Sequence, residues 1–259
     1  FQWTTDLNVA RNYNELVNIG EYTPDAVSGG TNDSRVIVGR PVGSFYLVEH
    51  SHVDPENGLP VYIDLNGEET YDYNNDIRKY VGDGLPEFIG GFTNAFKYGN
   101  WDLSALATFS VGAKIFDSSA KRQLGVVSGW NMRTEKLDRW RQPGDDALYP
   151  RLTLDETTYS LPSGFPWWNT SLFIYDASYL RLRNLTIGYN IPLDAASTLQ
   201  NCRVSINATN LFTITNFPGL DPEVVRDFEN AQDRNMSPNV TYLTPPQERS
   251  FTLSVSTNF

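Results

Sequence analysis

Oxygen-bearing side chains recur along residues 64–72 at a spacing that suits a calcium ion. Carboxylate and amide oxygens at alternate positions are the ligands of calcium-binding loops. Here they are Asp64, Asn66, Glu68 and Asp72. Glu69 stands where such a loop has its turn glycine, and Asn75 stands at the twelfth position in place of glutamate. The same residues also suit a turn in which an aspartate accepts hydrogen bonds from the following backbone. The pattern therefore predicts either a calcium site or a turn.

Two histidines and four tryptophans form the other chemical groupings. His50 and His52, with Asp54, are ligand types for a transition metal, although their spacing matches no recognised metal motif. The tryptophans fall in residues 116–171 and are Trp130, Trp140, Trp167 and Trp168. Exposed tryptophans suit stacking on sugar rings or anchoring a protein partner. The alternatives are loop histidines and a small core within this segment.

The sequence lacks the common catalytic signatures. It contains no Gly-x-Ser-x-Gly, no His-Glu-x-x-His and no glycine-rich phosphate loop. We therefore expect no enzymatic activity, and no cofactor apart from the calcium ion considered above. The net charge of −11 argues against binding to nucleic acid or to anionic lipid headgroups. The single cysteine excludes an internal disulfide framework.

The last eleven residues, 249–259, have the clearest secondary-structure pattern. One face carries Phe251, Leu253, Val255, Thr257 and Phe259. The other face carries Ser250, Thr252, Ser254, Ser256 and Asn258. This alternation predicts a β-strand with one apolar and one polar face, long enough for a tilted strand to cross a bilayer once. A soluble edge strand would leave the apolar row uncovered, whereas lipid covers it in an outer-membrane barrel.

Similar alternation predicts about seven strands in all. They cover residues 1–9, 35–49, 87–98, 101–111, 178–189, 202–209 and 249–259. Gly99 and Asn100 predict a tight reversal, and a slip in the alternation at Asn184 predicts a β-bulge. Arg181 and Arg183 fall on the polar, lumenal face. We expect them to pair with carboxylates on neighbouring strands or on a plug.

The strands are joined by alternating long and short connections, as in transmembrane barrels. Long connections cover residues 50–86, 116–171 and 216–248, and we expect them outside the cell. Counting back from a periplasmic carboxy-terminus puts several aromatic residues at the periplasmic rim: Tyr98, Trp101, Tyr189 and Phe259. Seven strands cannot close a single-chain barrel, which needs an even number of at least about eight. We therefore expect residues 1–259 to be the carboxy-terminal portion of a larger barrel.

Three segments go beyond a general barrel pattern. They are Tyr-Leu-Arg-Leu-Arg-Asn-Leu-Thr-Ile-Gly-Tyr-Asn-Ile-Pro at 179–192, the block 207–224 with Asn-Leu-Phe-Thr-Ile-Thr and Gly-Leu-Asp-Pro-Glu, and the Phe259 terminus. Together they resemble the carboxy-terminal third of SusC/RagA-type TonB-dependent transporters of Bacteroidetes outer membranes. Shorter stretches also fit, at residues 38–46, 85–92 and 139–144. The resemblance covers nearly the whole chain in the expected order.

The resemblance implies a large antiparallel barrel of roughly 22 strands. It implies an amino-terminal plug and a TonB-contacting part outside these residues, and a SusD-like surface lipoprotein as partner. The implied function is TonB-energised import of glycan or peptide oligomers, with transporter–lipoprotein pairs assembled as dimers. One alternative is a TonB-dependent receptor for a siderophore or other chelate. The other is a secreted, soluble carbohydrate-binding β-sandwich.

Overall fold

A computed structural model describes residues 1–22, 28–29, 33–127, 129–164, 168–194, 198–226 and 235–258. Its strands are β1 (Gln2–Ala10), β2 (Ser28–Gly29), β3 (Ser34–Arg35), β4 (Ser44–Leu47), β5 (Glu49–Val53), β6 (Pro60–Ile63), β7 (Glu69–Thr70), β8 (Lys79–Asp83), β9 (Phe88–Tyr98), β10 (Trp101–Val111), β11 (Lys114–Asp117), β12 (Ile174–Asp176), β13 (Tyr179–Asn190), β14 (Asn201–Thr215), β15 (Val240–Thr241) and β16 (Ser250–Asn258). Helical segments are short: α1 (Ala120–Gln123) and the 3-10 turns Asn75–Ile77, Thr134–Asp138, Glu156–Tyr159 and Ser171–Phe173. No helix among the described residues is long and apolar enough to span a membrane.

Six strands form one antiparallel sheet, which we call the wall. Its order is β1-β9-β10-β13-β14-β16, and all six strands were predicted from the sequence. The remaining predicted strand, residues 35–49, lies elsewhere, because β3 and β4 belong to a separate sheet of order β2-β3-β4-β8. Gly39 and Gly43 adopt positive φ on either side of Pro41, so the chain turns back there instead of extending.

Rows of like side chains cross the whole wall. One apolar row runs through all six strands: Trp3, Phe96, Leu103, Ile187, Ile206 and Leu253. The next row is made of small and polar residues: Thr4, Ala95, Ser104, Thr186, Asn207 and Thr252. The apolar row is open to the surroundings, since Leu253 is 70% exposed and Ile206 is 54% exposed. The wall therefore has an apolar face that the described residues do not cover, and a polar face.

The predicted bulge in β13 is confirmed. The pairing of β13 with both β10 and β14 shifts between Leu182 and Asn184, and Arg183 is an extra residue relative to β10. Leu182 therefore faces outward with Leu185, while Arg183 stays on the polar face beside Arg181. The bulge lets the apolar row and the arginine pair coexist on one strand.

The long connections all leave the wall at the same end, as predicted. We call residues 11–87, 112–178 and 216–249 the first, second and third connections. The opposite end has the two-residue turn at Gly99–Asn100 and the short link 191–200. Tyr98, Trp101 and Tyr189 lie at that end, and the rings of Trp101 and Tyr189 are 4.6 Å apart. Phe259 lies outside the described residues.

The three connections pack together into what we call the loop body. Its core takes Phe45 and Tyr62 from the first connection, Phe116 and Trp168 from the second, and Val240 from the third. Strand β11 also pairs in parallel with β15, which joins the second connection to the third. The main hydrophobic core of the described chain therefore lies in the loop body, whereas the wall is one strand layer thick.

Candidate functional site

Two arginines on the polar face of the wall form ion pairs with the third connection. Arg181 donates from Nη2 to Asp221 Oδ1 at 2.5 Å, and the two side chains are only 3% and 4% exposed. Arg183 donates from Nη2 to both carboxylate oxygens of Glu223, at 2.5 and 2.7 Å. Arg181 Nη1 also lies 3.4 Å from Glu223 Oε2. Two cations of the wall are thus neutralised by the two carboxylates of one Asp-Pro-Glu sequence.

Gln247 completes this arginine network, which we define as Arg181, Arg183, Asp221, Glu223 and Gln247. Its backbone N–H donates to Asp221 Oδ2 at 3.0 Å, and its side-chain amide donates to Glu223 Oε2 at 2.9 Å. Its Oε1 accepts from Arg183 Nη1 at 2.8 Å. Burial alone would raise the pKa of Asp221, but the hydrogen bonds from Arg181 and two backbone amides hold it below its usual range. The network therefore ties both ends of the third connection to the wall.

The sequence predicted the lumenal direction of the arginines but left their partners open. Arg181 and Asp221 are 40 residues apart along the chain, so only the fold brings them together. The available signal was the Gly-Leu-Asp-Pro-Glu block at 219–223, which places two carboxylates on either side of a proline. In the sequence this block carries part of the family resemblance, and nothing local to it identifies the two carboxylates as the counter-charges of the arginines.

The four tryptophans predicted to contact a substrate or partner do not share one environment. Trp168 is fully buried in the loop body, so its side chain offers no surface to a ligand in this structure. Trp140 is partly exposed and donates from Nε1 to the Pro55 carbonyl at 2.8 Å. Trp130 is also partly exposed and lies 6.5 Å from the Tyr242 ring. Trp167 lies outside the described residues. A contact role for Trp130 and Trp140 stays a prediction.

His50 is part of the loop-body packing and does not form a site with His52. Its ring meets those of Trp168 and Tyr62 edge-on, at 5.6 and 6.4 Å. Nε2 of His50 is buried without a hydrogen-bond partner. Burial and the neighbouring His52 lower the pKa of His50 to about 4. Within the described residues, no three His, Cys, Asp or Glu side chains form a group suited to a metal ion.

This low pKa predicts an acid-sensitive loop body. Unfolded histidine has a pKa of about 6.5, so the unfolded chain binds more protons between about pH 4 and 6.5. The free energy of unfolding of the loop body therefore falls as the pH drops through this window, by up to about 3 kcal/mol. Denaturant titration at pH 7 and pH 5 measures the loss. His50→Phe should reduce the pH dependence. The matched control His52→Phe should keep most of it, because burial is the larger cause of the low pKa. Equal pH dependence in both variants would contradict the assignment to His50.

Three of the predicted calcium ligands, Asp64, Asn66 and Glu68, lie in the hairpin between β6 and β7, and Asp72 follows β7. Asp64 Oδ1 accepts from the backbone N–H groups of Asn66 and Glu68, both at 2.8 Å. Asp64 Oδ2 accepts from the Asn66 side chain at 3.3 Å. These hydrogen bonds lower the pKa of Asp64, and the bond from the Glu68 backbone amide has the largest effect. The carboxylates of Asp64, Glu68 and Asp72 do not form a group suited to a metal ion. The residues fit a turn better than a calcium site, and calcium binding here stays a prediction.

Thermal melting with and without calcium distinguishes the two interpretations. We expect Asp64→Ala to lower the melting temperature of the loop body by the same amount in calcium and in a chelator, because the lost bonds are those of a turn. The matched control is Asp72→Ala, which removes a predicted ligand but no bond to the turn amides at 64–68. A calcium-dependent rise in melting temperature that both substitutions abolish would instead establish the calcium site.

The exposed apolar row, the polar face and the loop body at one end define a strip of transmembrane β-barrel wall with its long loops. The all-β fold class predicted from the sequence is confirmed. In solved structures, the same fold occurs in the RagAB peptide importer in its open-open state. That likeness has a TM-score of 0.74 at 20% identity, over 99% of this chain and 27% of the other. A second structure of the RagAB peptide transporter gives a TM-score of 0.74 at 22% identity.

The sequence is similar to those of TonB-dependent receptors. The chain is 28% identical, over its full length, to 27% of TonB-dependent receptor P3 of Formosa agariphila. It is 28% identical over 86% of its length to 22% of TonB-dependent receptor SusC of Bacteroides thetaiotaomicron. The chain thus spans about a quarter of the length of these relatives. No family model matches it. The predicted resemblance to SusC/RagA-type TonB-dependent transporters is confirmed, and the assignment of residues 1–259 to the carboxy-terminal portion of such a transporter stays a prediction.

Proposed function

We propose that the chain is part of an outer-membrane importer that takes up glycan or peptide oligomers. TonB would energise it through an amino-terminal part, and a SusD-like surface lipoprotein would work with it, in pairs that assemble as dimers. We propose no catalytic role and no nucleic-acid partner. The similarity to TonB-dependent receptors supports the import class, and the described function of the RagAB neighbours supports peptides as one substrate class.

The observation that carries the proposal is the uncovered apolar face of the wall. Leu253, Ile206 and Trp3 lie in one row across the sheet and are more than half exposed. In water such a row would be an aggregation site, whereas lipid covers it in a membrane barrel. This exposure favours a barrel wall over the soluble β-sandwich, in which the inner faces of two sheets cover one another.

The position of the loop body supports one orientation of the wall in the membrane. All three long connections leave one end, and short links with Trp101 and Tyr189 mark the other. In outer-membrane barrels long loops face the outside and short turns face the periplasm. The loop body is therefore the proposed surface for first contact with substrate and lipoprotein.

Fractionation and uptake test the proposal. The full-length protein should fractionate with outer membranes and co-purify in mild detergent with a surface lipoprotein, identified by mass spectrometry. Cells that express it should take up a labelled peptide pool or a neutral glucose hexasaccharide, and uptake should stop when tonB is deleted. Recovery of the chain in the soluble fraction, or uptake that continues without TonB, would overturn the proposal. Uptake of an iron chelate alone would favour the siderophore alternative.

A further inference from the structure

We propose that a cavity between the second and third connections binds a peptide substrate through an apolar side chain next to a basic group. The cavity has a volume of about 350 Å³, which suits one or two amino-acid side chains. This inference rests on the import function proposed above and names a substrate class and a contact site for it.

The cavity lies next to the polar face of the wall. Leu220 lines it, and the next residue, Asp221, pairs with Arg181 of that face. Leu220 and Arg181 also line a neighbouring cavity of about 420 Å³. A substrate that follows the polar face therefore passes beside both cavities.

The apolar part of the lining favours a side chain over a sugar ring. Leu220 is 73% exposed and Leu243 is 51% exposed, and Pro218 lines the same cavity. Covering such surface with an apolar side chain favours binding. No Trp, Tyr or Phe of the described chain lines this cavity, so it lacks the aromatic ring on which a sugar would stack.

Leu243 is held in a strained backbone conformation at the cavity. Its φ is 50°, in the left-handed region that bulky residues rarely adopt. Its N–H donates to Ser119 Oγ at 2.8 Å, which helps to hold this conformation. Residues held in this way cluster at ligand contacts, where the surrounding structure keeps them in place. The backbone strain and the cavity are separate observations, and both involve Leu243.

The charged part of the lining favours a basic group. Asp117 and Arg133 neutralise one another in an ion pair of 2.8 Å. Glu135 also lines the cavity, and no ion pair to it occurs within the described residues. The ionisable lining groups Asp117, Glu135 and Arg133 thus sum to one negative charge, in a chain whose net charge is −11. A peptide with a lysine beside its apolar side chain is complementary to this arrangement.

Peptide binding to the purified full-length transporter tests the proposal. The probes are fluorescent Gly-Ser hexapeptides that carry Leu-Lys, Leu-Glu or Ser-Ser at the centre. Leu-Lys should bind about tenfold more tightly than the other two. Leu243→Trp, which fills the cavity, should weaken Leu-Lys binding about tenfold. Glu135→Gln should remove most of the preference for Leu-Lys over Leu-Glu, and should reduce the preference over Ser-Ser to the part that the leucine contributes.

The matched control is Leu154→Trp, at an exposed leucine of the second connection that does not line the cavity. It should leave binding unchanged. Unchanged peptide binding in Leu243→Trp, in a transporter that still imports peptide, would overturn the cavity site while leaving the import function intact. Failure of the unmodified transporter to import any oligomer would overturn the proposed function itself.

Discussion

Replacing Asp221 with asparagine is expected to loosen the third connection from the wall by about 3 kcal/mol, because it leaves the Arg181 guanidinium buried without its main counter-charge. Arg181 is 3% exposed, so water cannot take the place of the carboxylate. Glu223 stays 3.4 Å from Arg181 and offsets part of the loss. The expected cost is therefore at the lower end of the range for breaking a buried ion pair. Protease cleavage within 216–249 in the full-length protein should become about a hundredfold faster, since cleavage follows local opening.

The same substitution at a more exposed pair is the control. Asp102 pairs with Arg203 across the wall at 2.5 Å, and the two side chains are 22% and 33% exposed. Asp102→Asn should therefore cost less than about 1 kcal/mol and leave cleavage nearly unchanged. The double variant Arg181→Met with Asp221→Asn should restore part of the protection, because it removes the buried guanidinium that Asp221→Asn alone leaves without its counter-charge. Equal cleavage rates in the two single variants would contradict the assigned strength of the network.

The wall could be predicted from the sequence because its information is local. Alternation of apolar and polar residues in a strand reports directly which face each side chain occupies. The slip at Asn184 was visible as a break in that alternation, and the structure places the bulge there. The turn at Gly99 and Asn100 was visible as well. In each case the physical cause lies within a few neighbouring residues.

The loop body and the arginine network could not be predicted in the same way. Trp168 packs against Tyr62, which lies 106 residues earlier in the chain, and no periodicity connects the two. Residues 35–49 are rich in strand-forming side chains and do form strands, but their glycines turn them into a separate sheet. Contacts of this kind depend on where the connections meet above the wall, and a single sequence carries no local signal for that meeting.

Trp168→Ala is the substitution with the largest expected effect on the loop body. Removing a buried tryptophan costs about 3–5 kcal/mol, because the lost contacts and the cavity left behind add together. The Trp168 ring lies 5.4 Å from Phe173 and 5.6 Å from Tyr159, and its Nε1 donates to the Tyr62 hydroxyl at 3.0 Å. These partners come from both the first and the second connection, so the two should loosen together.

Hydrogen exchange in the full-length protein separates this effect from a general loss of stability. In Trp168→Ala, amides of β4 and β6 should exchange faster while those of β13 and β14 keep their protection, because the wall strands are held by their own ladder of hydrogen bonds. Trp168→Phe keeps an aromatic ring but loses the bond to Tyr62, and should cost only about 1–2 kcal/mol. Trp130→Ala, at a partly exposed ring, is the control and should leave β4 and β6 protected. Faster exchange of β13 and β14 in Trp168→Ala would show instead that the loop-body core also holds the wall together.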